Sequence, residues 1–118
     1  MRRLLITLAC AVAALPGMAS AELFAAIAFS PSTGATGTAW NYDTGLLAET
    51  EAYYQCGQED CDTVVVFTQC AAIAVGRELY YGYAYDPSQA NAIEMALQQC
   101  DARTINCEIT AAFCNEGY

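Results

Sequence analysis

The tetrapeptide Ala-Ala-Ile-Ala stands at Ala25–Ala28 and again at Ala71–Ala74, an offset of 46 residues that Cys61 and Cys107, and Phe67 and Phe113, share. Between these anchors "WNYD" (Trp40–Asp43) faces "YAYD" (Tyr83–Asp86) at 43, and "AYYQC" (Ala52–Cys56) faces "ALQQC" (Ala96–Cys100) at 44. Self-similarity at a nearly fixed period marks a duplicated supersecondary unit, here of roughly 45 residues, with small insertions in turns. The two halves, about 23–70 and 71–118, are therefore expected to fold alike and to form one domain over 22–118.

Each half can be read locally. "LFAAIAF" and "TAWNY" flank a Pro/Gly/Ser/Thr cluster, the pattern of two strands and a turn; "AAIAV" and "LYYGYAY" flank the shorter Gly76-Arg77-Glu78. Asp86-Pro87-Ser88-Gln89 then predicts a helix, with Asp86 as N-cap, Pro87 at the first position and Gln89 completing a capping box. Ile93, Ala96, Leu97 and Cys100 form its apolar stripe. In the first half the helix starts at Asp43 or Thr44 and ends at Cys56, with Leu46, Ala52, Tyr53 and Cys56 on the comparable stripe. "TVVVFTQ" (Thr63–Gln69), apolar on both faces, reads as a central, covered strand, and its counterpart is "CEITAAFC".

Each unit is thus β-β-α-β. The expected fold class is α+β: one mainly antiparallel six-stranded sheet with two helices on one face. On this reading the repeated tetrapeptide is the first strand of each half. Its alanines allow close packing under a helix, and its isoleucine fills the core.

The N-terminus carries two arginines, an apolar run from Leu4 to Leu15, a Pro16-Gly17 break and Ala19-Ser20-Ala21, the form of a cleavable export signal over 1–21. The run is shorter than the roughly 20 apolar residues that a membrane helix needs, so no membrane insertion is expected. A lipidated Cys10 would require a better lipobox than "TLAC". Removal of 1–21 leaves two basic residues, Arg77 and Arg103, against thirteen acidic ones, a net charge of −11 with no lysine or histidine. Such a surface repels phosphate backbones and anionic lipid, which disfavours nucleic acid and favours a basic envelope or extracellular protein as partner. The expected location is the periplasm or the medium.

Six cysteines then remain, an even number in a short exported chain, which reads as a disulfide framework. The pairing that respects the repeat is Cys56–Cys61 and Cys100–Cys107, leaving Cys70 with Cys114. That third bridge is expected to lock one half onto the other, each cysteine lying just past the third strand of its own unit. Zinc-type spacing and Cys-x-x-Cys redox couples are absent.

Chemistry is sparse. Without histidine, lysine or a Gly-x-Ser-x-Gly elbow the common nucleophilic constellations cannot be built, and Ser30, Ser32 and Ser88 sit in turn or cap contexts. No cofactor and no metal are implied: "QEDCD" (Gln58–Asp62) lacks the spaced ligands and glycine of a calcium loop. Glu49 aligns with Ile93 of the second helix stripe and, with Glu51, forms the weak candidate for acid–base work. The stronger candidate is an interaction surface of acidic loop and aromatic strands: Glu59, Asp60 and Asp62 with Trp40, Tyr42, Tyr81, Tyr83 and Tyr85.

The pattern A-I-A, Gly-rich turn, W-x-Y, A-E-x-x-A-x-x-x-C, C-x-x-V-V-x-F and a closing cysteine resembles the bacterial exported family called domain of unknown function 4189. The residues carrying it are Ala26–Ala28, Trp40, Tyr42, Ala48, Glu49, Ala52, Cys56, Cys61, Val64, Val65, Phe67 and Cys70. In the second half Ala84 stands among tyrosines and Ile93 replaces the glutamate. The resemblance implies export and architecture and transfers no catalytic residue. The functional expectation is a non-enzymatic interaction or inhibitor-like module. The alternatives are a carboxylate-dependent hydrolase or lyase acting on envelope carbohydrate, and a structural accessory domain.

Overall fold

A computed structural model describes residues 22–118; the export segment read at 1–21, with Cys10, lies outside them. The order is β1 (Phe24–Phe29), β2 (Thr36–Tyr42), α1 (Gly45–Cys56), β3 (Asp62–Phe67), β4 (Cys70–Val75), a short 3-10 turn (Arg77–Leu79), β5 (Tyr81–Asp86), α2 (Gln89–Asp101) and β6 (Glu108–Cys114). The class is α+β, with β-β-α-β in each half.

The six strands divide into two three-stranded antiparallel sheets, β2-β1-β3 and β5-β4-β6, rather than running as one sheet with both helices on one face. The reason lies in the alternation of the two central strands. Ala25, Ile27 and Phe29 point to one side of β1 and meet Ala71 and Ile73 of β4, forming a core between the sheets. Ala26 and Ala28 point to the other side, under Ala48 and Ala52 of α1; Ala72 and Ala74 lie in the same way under Ala92 and Ala96 of α2. Both faces of each sheet are apolar, so a single layer of helices would leave Ile27, Phe29 and Ile73 in water. Stacking helix, sheet, sheet and helix buries both. Each isoleucine then contributes about 1.5–3 kcal/mol of burial.

Two further expectations change for related reasons. β3 is an edge strand, with Val65 and Phe67 facing the core and Val66 exposed, because the alanine-rich strand takes the centre. Helix burial is narrower than an amphipathic stripe: α1 buries Ala48, Ala52 and Cys56, and α2 buries Ala92, Ala96 and Cys100. Leu46 and Tyr53 face outward. Close approach makes alanine the only fitting size here. A Cβ on Gly37 would overlap the Ala52 carbonyl oxygen and the Cys56 nitrogen, and one on Gly82 would overlap the Cys100 nitrogen.

The caps also sit later than the sequence reading placed them in the second half. Ser88 is the N-cap of α2, its hydroxyl accepting from the Asn91 N–H at 3.2 Å, while Asp86 closes β5 and takes the Ser88 N–H at 2.9 Å. Thr44 caps α1 in the corresponding place, accepting from Leu47 N–H at 3.2 Å.

Cys56 is bonded to Cys61 and Cys100 to Cys107, each tying the end of a helix to the approach of the next strand. Cys70 is bonded to Cys114. This third bridge joins directly opposed residues of β4 and β6 and so lies within the second sheet; it does not link the halves, because Cys70 opens the second half's first strand. In the first half Phe24 takes the place of Cys70. The halves are joined by the short Thr68-Gln69 link and by sheet packing, in which β2 touches β6 while β5 touches β3, the exchange that a two-fold axis requires.

Candidate functional site

Structural equivalence of the halves gives an internal comparison. Gly37 and Gly82 make the same helix contact, Ala39 and Ala84 pair with the equivalent Ala26 and Ala72, and Thr44 and Ser88 are both caps. Trp40 therefore corresponds to Tyr85, not to Tyr83 as the tetrapeptide match had it. A bulge at Asn41, whose φ is 66°, absorbs the extra residue.

The expected aromatic surface is divided by this geometry. Tyr81 and Tyr83 turn toward the core between the sheets, Tyr81 lying 4.9 Å from the Phe29 ring. Trp40 is half exposed and rests on Phe113 at 5.6 Å, Tyr42 packs against the α1 alanines, and Tyr85 is exposed. They do not form one face.

The acidic loop is divided too. The Ser30 hydroxyl donates to Asp60 Oδ1 at 2.6 Å, and the Ser32 N–H donates to Oδ2 at 3.2 Å. These bonds hold the Asp60 carboxyl below the usual carboxylate value, because they favour the charged form. Asp60 thus closes the β1–β2 turn. Glu59 and Asp62 remain at the surface. Among the described residues no cluster of three or more histidine, cysteine or acidic side chains is placed to hold a metal ion.

Glu49 and Glu51 flank α1 on opposite sides. Glu49 Oε1 accepts from the Thr63 hydroxyl at 3.3 Å and lines a groove of about 430 Å³ with Leu46, Tyr53, Tyr54 and Asp62. Glu51 Oε2 accepts from Gln55 Nε2 at 2.7 Å beside a second groove of about 270 Å³, bounded by Thr38, Trp40 and Tyr42. Side chains two apart on a helix do not face one another, so these carboxylates cannot share a substrate as an acid–base pair.

What the sequence reading missed is the outward face of α1. Leu46, Leu47, Tyr53 and Tyr54 are 73%, 51%, 45% and 72% exposed. Their counterparts on α2, at the offset of 44, are Ala90, Asn91, Leu97 and Gln98, of which Leu97 is half buried. Laying one helix against the other in cap-to-cysteine register would have revealed the contrast. Leu46, Tyr53 and Tyr54 line one groove with Glu49 and Asp62, an apolar surface edged by carboxylates.

Fold and site define a small, disulfide-bonded, duplicated α+β domain. The chain belongs to the family described as Domain of unknown function (DUF4189), whose model matches residues 24–114. It is 37% identical over 78 residues to Protein Rv1269c of Mycobacterium tuberculosis, covering 66% of this chain and 61% of that protein. It is 42% identical over 59 residues to Uncharacterized protein Rv1813c of the same organism, covering 50% of this chain and 41% of that one. The NMR structure of Rv1813c superposes with a TM-score of 0.65 at 28% identity, over 96% of this chain and 91% of that one. The chain thus spans less than two thirds of the length of these curated relatives. The family description assigns no activity.

Proposed function

We propose that the domain is an exported, non-enzymatic interaction module whose α1 face holds a basic, amphipathic segment of an envelope or extracellular protein. The observation that carries this reading is the contrast between the helices: the outward positions of α1 are Leu46, Leu47, Tyr53 and Tyr54, where α2 has smaller, polar or covered residues. Apolar side chains repeated on one helix face and absent from its duplicate are not needed by the fold. Glu49 and Asp62 line the same groove. Arginine or lysine stems would cover the leucines and tyrosines while their charged heads met the carboxylates. Three disulfides suit an oxidising compartment, and no helix among the described residues is long and apolar enough to cross a membrane.

The test is calorimetric titration of the oxidised domain with a synthetic peptide of leucines and arginines at low and high salt. Leu46→Ser combined with Tyr54→Ser is expected to weaken binding about tenfold or more, as loss of buried anchors does. Glu49→Gln with Asp62→Asn is expected to flatten the salt dependence. Unchanged affinity in the first variant sinks the proposal.

A further inference from the structure

Strands β2 and β5 are the same sheet edge in the two halves, and they are finished differently. In the first half the Ser30 N–H bonds the Ala35 carbonyl at 2.9 Å, and the register continues through Ala28 with Gly37 and Ala26 with Ala39. Hydrogen-bonded pairs alternate along an antiparallel ladder, so Thr36, Thr38 and Trp40 direct their N–H and C=O groups away from β1. In the second half the Gly76 N–H bonds the Tyr80 carbonyl at 2.9 Å, followed by Ala74 with Gly82 and Ala72 with Ala84. There Tyr81, Tyr83 and Tyr85 are the outward residues.

The second edge is capped by side chains. Gln99 Oε1 accepts from the Tyr83 N–H at 3.4 Å, and Arg103 Nη1 donates to the Tyr81 carbonyl at 3.3 Å. Exposed edges invite pairing, and such covers blunt them. The first edge has none among the described residues. Gln55, the counterpart of Gln99, turns its amide onto Glu51 at 2.7 Å instead. At the position of Glu51 the second half has Met95, which competes poorly for an amide. The loop after α1 contains no arginine to match Arg103. Both edges have space beside them, about 270 Å³ lined by Thr38, Ala39, Trp40, Glu51 and Gln55, and about 370 Å³ lined by Tyr83, Ala84, Tyr85, Met95 and Gln99, so the difference lies in the side-chain bonds and not in room.

We infer that the β2 edge, Thr36–Trp40, accepts an extended segment of another protein as an added strand, with a lysine or arginine of that segment on Glu51. Backbone pairing would supply the affinity and Glu51 the preference for a basic side chain. A second copy of this chain is a poor occupant, because edge-to-edge pairing would bring two Glu51 carboxylates and two strongly acidic domains together. The bulge at Asn41 ends the usable edge, so the added strand is short. This inference stands without the α1-face reading: it concerns the other flank of the helix.

The test is backbone amide exchange by NMR on the oxidised domain with an end-capped peptide of about nine residues alternating valine and lysine, long enough to span one edge. At millimolar peptide, the Thr36, Thr38 and Trp40 amides are expected to slow about tenfold or more, while Tyr81, Tyr83 and Tyr85 are unchanged. Glu51→Met reproduces the second half's arrangement, leaving Gln55 to turn onto the Thr38 N–H, and is expected to weaken the peptide about tenfold by capping the edge. The pair Leu46→Ser and Tyr54→Ser is expected to leave this protection intact, which separates the edge from the α1 face. Absence of protection at β2, wild-type binding by Glu51→Met, or loss of protection in the α1 variant overturns the inference. So does β2 protection in a dimer without peptide.

Discussion

The backbone N–H of Asn41 donates to Asn115 Oδ1 at 2.8 Å across 74 residues of sequence. The bond is part of a closed set: Asn115 Nδ2 donates to the Phe67 carbonyl at 3.2 Å, and Asn41 Oδ1 accepts from the Glu116 N–H at 2.8 Å. Asn115 is buried. One amide side chain from the end of the second half thus satisfies the bulge of β2 and the end of β3 in the first. Asn115→Leu should leave a donor and an acceptor unpaired and lower the unfolding free energy by about 2–4 kcal/mol, on the usual cost of about 1–3 per orphaned group. Urea denaturation measures it. Asn115→Asp keeps the acceptor toward Asn41 but sets a second carboxylate oxygen against the Phe67 carbonyl in a buried place, so near neutrality it should lose at least as much.

Gly37→Ala and Gly82→Ala test the helix approach. Either methyl would push its helix from its sheet, because backbone atoms lie in the way. Each should cost about 1–3 kcal/mol, the range for overpacking, seen as a lower Tm. Equal losses would show that the halves use their glycines alike.

Disulfide removal should rank by the span closed. The Cys70–Cys114 bridge has a separation of 44 and the others 5 and 7. By loop entropy, replacing both Cys70 and Cys114 by serine should cost about 4 kcal/mol, against about 2 for either short bridge. Guanidinium midpoints of the three double variants would show the order.

The Ser30–Asp60 bond should appear in the acid limb of stability. The folded Asp60 value is lowered from 3.8, so its contribution is complete above that pH and fades as pH falls through the lower folded value. Ser30→Ala removes the largest cause of the lowering. The variant should therefore lose stability near neutrality and show a shallower fall of Tm below pH 3.8 than the parent. An unchanged acid limb would place the proton uptake elsewhere.

Element order and class were legible because the repeat and the turn residues both carry local signals. Tandem copies of an alanine–isoleucine strand fixed where each half begins, and Gly- and Pro-rich segments fixed the turns. Division into two sheets was not legible, since alternating Ala25/Ile27 with Ala26/Ala28 says that both faces are covered without saying by what. Valines misled in β3, where propensity suggested the centre and geometry gave that place to smaller residues under the helix. Leu46 and Tyr53 misled for the opposite reason: their spacing fits a buried stripe, but the helix lies too close for anything larger than alanine, apart from the cystine at its end. The site suffered accordingly. Tyr81 and Tyr83 look like a contact surface until a second sheet is placed over them.

The stacking of the sheets has an evolutionary reading. Ile27, Phe29, Val65 and Phe67 of one half meet the corresponding face of the other, so either half alone would expose a self-complementary surface. In symmetry terms each half is a protomer, and the chain is an isologous dimer made covalent through Thr68 and Gln69. Fusion frees subunits from having to be identical. One could then hold a cross-strand cystine and a capped edge while its twin kept its edge open and its helix apolar.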